Sequence, residues 1–211
     1  MLFYQSLDRL EFMHKMNYIH RDLKPENILM GLGKKSNLVH LIDFGLARPV
    51  VDPQTGKHIP FCLGKNLLGT CRYVSVNAHL GYELSRRDDL MTLGYVLLNF
   101  YLGSLPWSTI QVTKDSARYR KLGKAKLKYT MTTLFDKCPP LFKNYMDYCK
   151  ALAFEAMPDF KMLKAMVVAT AEEHQLDIFD NVFDWSIKLT GGKMRSSSGD
   201  DKHFKDNKRK G

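Results

Sequence analysis

His20-Arg21-Asp22-Leu23-Lys24-Pro25-Glu26-Asn27, with Asp43-Phe44-Gly45 downstream, is the stretch on which the reading of this chain turns. It places a carboxylate, an ammonium and a carboxamide on one short segment, with a second carboxylate beyond. Moving a phosphoryl group asks a protein mainly to position reactants and neutralise charge. Asp22 is placed to orient an attacking hydroxyl and accept its proton, and Lys24 to stabilise the group in flight. Asn27 and Asp43 supply the hard oxygen ligands that magnesium requires. Gly45 allows the backbone to turn tightly after Asp43. Each piece alone is weak, since a tripeptide recurs by chance and a lone loop aspartate is more often a turn or cap. The contiguous octet fixes four functional types at once and agrees with the downstream turn.

The rest of the composition bounds the answer. At 211 residues, 45% hydrophobic and 26% charged, the chain has the size and make-up of one well-buried globular domain. The apolar run near Tyr95–Leu102 is too short to span a bilayer, and Asp8, Arg9 and Glu11 break any signal-peptide pattern. Cys62, Cys71, Cys138 and Cys149 show no CxxC spacing and read as reduced thiols of a cytoplasmic or nuclear protein. His14, His40, His174 and His203 have no metal-ligand spacing. The net charge of +10 is compatible with a solvated surface or a groove for acidic peptide. Arg118, Arg120, Lys121, Lys124 and Lys126 fall at spacings that suit a solvated helix face. Aromatic interleaving for nucleic-acid stacking is lacking beyond Tyr119 and Tyr129.

Along the chain, Phe3, Leu7, Leu10 and Met13 recur at helical spacing and predict a helix over residues 2–17. Ile28–Met30 and Val39–Ile42 flank a turn-rich segment and predict a β-hairpin. Residues 46–80, rich in Pro and Gly, read as one long ordered loop, a length that is usually functional. Ser85-Arg86-Arg87-Asp88 has the capping-box pattern, and the nearly all-apolar Leu90–Leu102 after it predicts a buried central helix. Further helices are expected near 111–127, 139–153 and 160–174. From residue 189 a basic tail, ending in Lys208-Arg209-Lys210, has the composition of disorder.

The octet and the Asp43-Phe44-Gly45 turn resemble the catalytic loop and metal-binding turn of protein kinases. The resemblance narrows over Leu41-Ile42-Asp43-Phe44-Gly45-Leu46-Ala47, His58-Ile59-Pro60 and Gly69-Thr70-Cys71-Arg72-Tyr73. It continues through Ser75-Val76-Asn77-Ala78-His79-Leu80-Gly81, Ser85-Arg86-Arg87-Asp88-Asp89-Leu90, Leu93-Gly94-Tyr95-Val96-Leu97 and Gly103-Ser104-Leu105-Pro106-Trp107. With the looser Pro158-Asp159-Phe160 and Val182-Phe183-Asp184-Trp185, the chain is similar to the casein kinase 1 family over roughly residues 2–188, within a kinase-lobe domain of residues 1–188. The resemblance implies a mainly α fold, the C-terminal helical lobe of a kinase with small β-hairpins around the catalytic loop. It implies a Ser/Thr protein kinase that uses ATP and Mg2+, with Asp22 and Lys24 catalytic and Asn27 and Asp43 holding metal and nucleotide. Arg21, Gly45, Thr70 and Asp89 are implied as structural support, Asp89 by accepting hydrogen bonds from the catalytic-loop backbone. Lys65, Arg72 and Arg118 match an anion site for acidic or phosphorylated protein substrates. Neither a membrane nor a nucleic acid is expected as a partner.

The chain departs from that family in two respects. Only nineteen residues precede His20, so the Gly-rich loop, the strand lysine and its glutamate partner are not in this sequence, and Ala153 stands where the family usually has an arginine. Two expectations follow. One is a partial chain of an active kinase, whose missing N-terminal lobe or a protein partner covers the exposed lobe interface. The alternative is an inactive truncated lobe that acts as a binding or scaffold module.

Overall fold

A computed structural model describes residues 1–110, 116–131 and 133–189. The chain divides into one unit, Met1–Phe179, and a second, Asp180–Gly211. The fold is mainly helical, as expected, with two small antiparallel sheets. Helix α1 (Leu2–Lys15) buries Phe3, Leu7, Leu10 and Met13, and stops where Asn17 turns to a φ of 62°. Strand β1 (Tyr18–Ile19) leads into the octet, and a 3-10 turn covers Pro25–Asn27. Strands β2 (Ile28–Met30) and β3 (Val39–Leu41) pair as the expected hairpin, with Leu29 opposite His40. Gln5 of α1 ties the hairpin down. Its amide donates to Asn37 O at 2.9 Å and accepts from Val39 N at 2.8 Å, which is how a polar helix residue tolerates burial.

Strand β4 (Arg48–Pro49) pairs with β1 at an edge, where a residue without an N–H does no harm. The segment expected as a continuous loop thus carries a strand, a bridge from Val51 to His58 and the short helix α2 (Val76–His79). Ile19, Val50, Val74, Ala78 and Leu84 form a small core beneath it.

Helix α3 (Arg86–Leu102) runs through the main core, and Leu90, Tyr95, Val96 and Leu98 are wholly buried. At its start the Asp88 carboxylate accepts from Ser85 N at 2.9 Å. Gly94 lets α3 close onto α5 (Pro140–Ala151). A Cβ there would strike Met146 Sδ and stand 2.9 Å from Tyr145 Cε1. Tyr145 in turn donates its hydroxyl to Leu90 O at 2.8 Å. Helix α6 (Phe160–Glu173) packs on α1 and α5, with Asp159 capping it through Met162 N. Helix α4 (Ser116–Met131) ends later than the expected 127, and the expected start at 111 falls on residues 111–115, which lie outside the described part. The second unit contains α7 (Asp184–Leu189) and a stacked pair, Phe183 and Trp185, with ring centroids 4.4 Å apart. The tail expected to be disordered from residue 189 starts one residue late, since Leu189 still belongs to α7, and from residue 190 on it lies outside the described residues.

Candidate functional site

Asp22 follows β1 and sits with its carboxylate enclosed, 8% exposed as a residue. One oxygen, Oδ1, accepts from Thr70 N at 2.8 Å and from Thr70 Oγ1 at 2.7 Å. The other, Oδ2, accepts from Lys24 Nζ at 3.0 Å. Burial pushes the Asp22 carboxyl up, but the donors from Thr70 and Lys24 outweigh it and hold the group below the usual carboxylate range. Lys24 is raised by the same contact and by the nearby charge of Asp43.

Asn27 is buried. Its Nδ2 donates to Asp22 O at 2.9 Å, which fixes which way the amide faces. Its backbone carbonyl accepts from Ile42 N at 3.1 Å, tying the octet to the segment that carries Asp43. Asp43 is exposed, adopts a φ of 62°, and accepts weakly from Gly45 N at 3.4 Å. Arg21 has a φ of 68°. Left-handed backbone at two non-glycine residues costs about 1–3 kcal/mol each and persists only where the surroundings impose it.

At Arg21 the surroundings include Asp89, at the start of α3. Its Oδ1 accepts from Arg21 N at 2.9 Å, and its Oδ2 accepts from His20 N at 2.7 Å and from His14 Nε2 at 3.0 Å. Burial raises the Asp89 carboxyl, while the bonds from His14 and the two backbone N–H groups prevail and hold it low. The His20 ring bridges the two loops. Its Nε2 donates to Ile42 O at 3.0 Å, and its Nδ1 accepts from Asp22 N at 3.3 Å. Arg21 Nε donates to Leu46 O at 2.6 Å. Gly69 makes Thr70's approach feasible. With a φ of 85°, it lies where a Cβ would collide with Arg21 O and come within 2.9 Å of Val74 Cγ1.

The residues matched to an anion site are placed differently from one another. Lys65 pairs with Glu83 at 2.9 Å, and Arg48 holds the other Glu83 oxygen at 3.0 Å. Arg72 is exposed on a cleft of about 520 Å³ that also borders Glu26, Thr70, Tyr73 and Trp107. Arg118 falls within α4, and its side chain lies outside the described residues.

A family model described as protein kinase domain matches residues 1–158. The chain belongs to the protein kinase family. In this kinase domain the matched span covers the octet, the Asp43-Phe44-Gly45 turn and the whole of α3. Kinase domains in general use ATP and Mg2+. Among the described residues no group of three or more His, Cys, Asp or Glu stands ready to hold a metal. A lone Asn and Asp pair is the donor set for a metal that completes its shell with phosphate oxygens and water.

Sequence reasoning missed several supports of the kinase site. His14 was weighed only as a metal ligand, although a histidine on a buried helix face is well placed to pair with a carboxylate. Glu83 and Arg48 gave no signal at all. Lys126 has a spacing that suits a solvated helix face, and the structure corrects that expectation. It is fully buried, because the face of α4 that carries it packs over the Cys71–Val74 segment and the rings of Tyr95 and Trp107.

Proposed function

We propose that this kinase domain is a Ser/Thr protein kinase of casein kinase 1 type that phosphorylates acidic or phosphate-primed protein substrates. The observation that carries this is the Asp22 carboxylate held between Thr70 and Lys24. Asp22 is ionised near neutral pH and rigidly aimed, as a group that receives a hydroxyl proton must be. In the reaction the acceptor hydroxyl oxygen bonds to the γ-phosphorus of ATP, and the bond from that phosphorus to the β–γ bridging oxygen breaks. ADP leaves, and the hydroxyl proton passes to Asp22. Lys24, 3.0 Å from Asp22, places its positive charge where the transferring group gathers negative charge.

Asn27 and Asp43 are the residues that would hold Mg2+, which neutralises phosphate charge when bound. Their fit rests on donor chemistry, a buried amide oriented by Asp22 O and an exposed carboxylate on a strained turn. Lys65, Arg72 and Arg118 are assigned to the substrate anion. The Lys65–Glu83 ion pair implies that this lysine exchanges partners when a phosphate arrives. Exposed Leu29, Ile42 and Phe44 beside the metal-binding turn fit a further lobe or protein partner that covers them.

The test is magnesium-dependent transfer of labelled γ-phosphate to an acidic Ser peptide, alongside Asp22→Asn. Transfer by the chain joined to an N-terminal kinase lobe, and its loss in a folded Asp22→Asn variant of the same protein, is the expected result. Equal transfer by both removes Asp22 from the base role. The absence of a magnesium-dependent thermal shift with ATP would favour the scaffold alternative.

A further inference from the structure

Lys126 is a lysine with no exposed surface, far along the chain from the octet. Its Nζ donates to Val74 O at 2.6 Å and to Cys71 O at 2.8 Å. The ammonium also lies 5.3 Å from the centre of the Tyr95 ring and 5.6 Å from that of Trp107. Trp107 Nε1 meanwhile donates to Arg72 O at 2.8 Å. Side chains from outside the segment therefore hold the carbonyls of Cys71, Arg72 and Val74. Thr70, the residue just before, carries the two bonds to Asp22. The same segment forms one wall of the cleft beside the octet.

Stability alone accounts poorly for a buried ammonium. Removing a charge from water is expensive, and well-packed apolar residues often do as well or better in such positions. Burial also pulls this lysine well below its ordinary range. What an apolar side chain cannot supply is a pair of donors reaching two carbonyls of one turn. Between them, Tyr73 N and Val74 N close that turn on Thr70 O at 2.8 and 3.1 Å.

We propose that Lys126 is a positioning residue for phosphoryl transfer, a clamp from α4 that fixes the Cys71–Val74 turn so that Thr70 stays on Asp22 and the acceptor cleft keeps its shape. The proposal rests on the kinase reading above and adds a residue that the reading does not use. It acts through Thr70, not on the reacting atoms.

Lys126→Met in the full chain tests it, since methionine approximates the length and removes the donors. Backbone amide exchange is followed at Thr70, Tyr73 and Val74 and along α3, together with steady-state transfer from Mg-ATP to an acidic Ser peptide by the chain joined to an N-terminal kinase lobe. Exchange at the three loop amides should quicken about tenfold or more while α3 stays within about twofold, as expected when a local anchor is lost. The KM for the peptide should rise about fivefold with that for ATP unchanged, because the defect is confined to the acceptor wall. Unchanged loop exchange, or loosening of α3 by the same factor, overturns the clamp. If the Met variant does not fold, Lys126→Gln, which is polar but one atom too short to reach both carbonyls, takes its place under the same criteria. Failure of both variants to fold makes the role purely structural and also overturns the proposal. If the chain joined to an N-terminal kinase lobe transfers no phosphate, the kinase reading fails and the exchange data alone decide the clamp.

Discussion

Thr70 directs both its backbone N–H and its hydroxyl at Oδ1 of Asp22, at 2.8 and 2.7 Å, across 48 positions of sequence. Two donors on one oxygen leave Oδ2 to Lys24 and hold the carboxylate ionised. Thr70→Val removes the hydroxyl donor and keeps the shape and the backbone bond. A hydrogen bond to a charged group contributes about 1.5–3 kcal/mol, so the Asp22 carboxyl should titrate at higher pH in the variant. An NMR titration of Asp22 reads this directly, and any acid limb in transfer rate should move up in pH with it. An unmoved titration would show that the hydroxyl does not tune Asp22.

Asp89 joins three donors from two elements, so Asp89→Asn leaves His14 and two backbone N–H groups competing for a single carbonyl oxygen. Breaking a buried pair of this kind costs roughly 3–5 kcal/mol. Urea denaturation should show that loss at neutral pH. Asp89 is held below its ordinary value, so its contribution is present above the unfolded value near 4. It fades as pH falls through the lower native value. The Asn variant should therefore lose less stability on acidification than the parent, and parallel pH profiles would rule out this linkage.

Gly69 and Gly33 separate backbone strain from collision. Both have positive φ, but nothing lies within 4 Å of a Cβ at Gly33, whereas at Gly69 it meets Arg21 O. Gly33→Ala should cost about 1–2 kcal/mol from conformation alone. Gly69→Ala should cost more and also displace Thr70 from Asp22. Thermal melts rank the pair, and equal losses would mean that the loop yields freely.

His79 is buried against Gly123, and burial followed by the charge of Lys126 pulls it down to about 3. Between about 6.5 and about 3 the unfolded chain binds a proton there that the native chain refuses. Stability therefore falls as pH drops through that window, by an amount on the order of 4 kcal/mol. His79→Gln should flatten that part of the profile in denaturant titrations from pH 7 to pH 4. A profile as steep as the parent's would assign the acid sensitivity to other groups.

Much of this was legible before any coordinates. The period of Phe3, Leu7, Leu10 and Met13 predicted α1, and the all-apolar run after Ser85 predicted a buried α3. Both are local signals, written in adjacent turns. The later end of α4 and the structure within residues 46–80 were not legible, since short strands and bridges there depend on partners such as Tyr18 and Ile19.

Proximity along the chain was enough to put Asp22, Lys24 and Asn27 on one loop and to point to the protein kinase family, because that motif is encoded in residue type and short spacing. Folding supplied what spacing cannot: Thr70 on Asp22, His14 and Asp89 behind the loop, and Lys126 beneath the Cys71–Val74 turn. Helical periodicity tells which residues share a face, and it is silent on what packs against that face. For Lys126 that difference separates a solvated charge from a buried one.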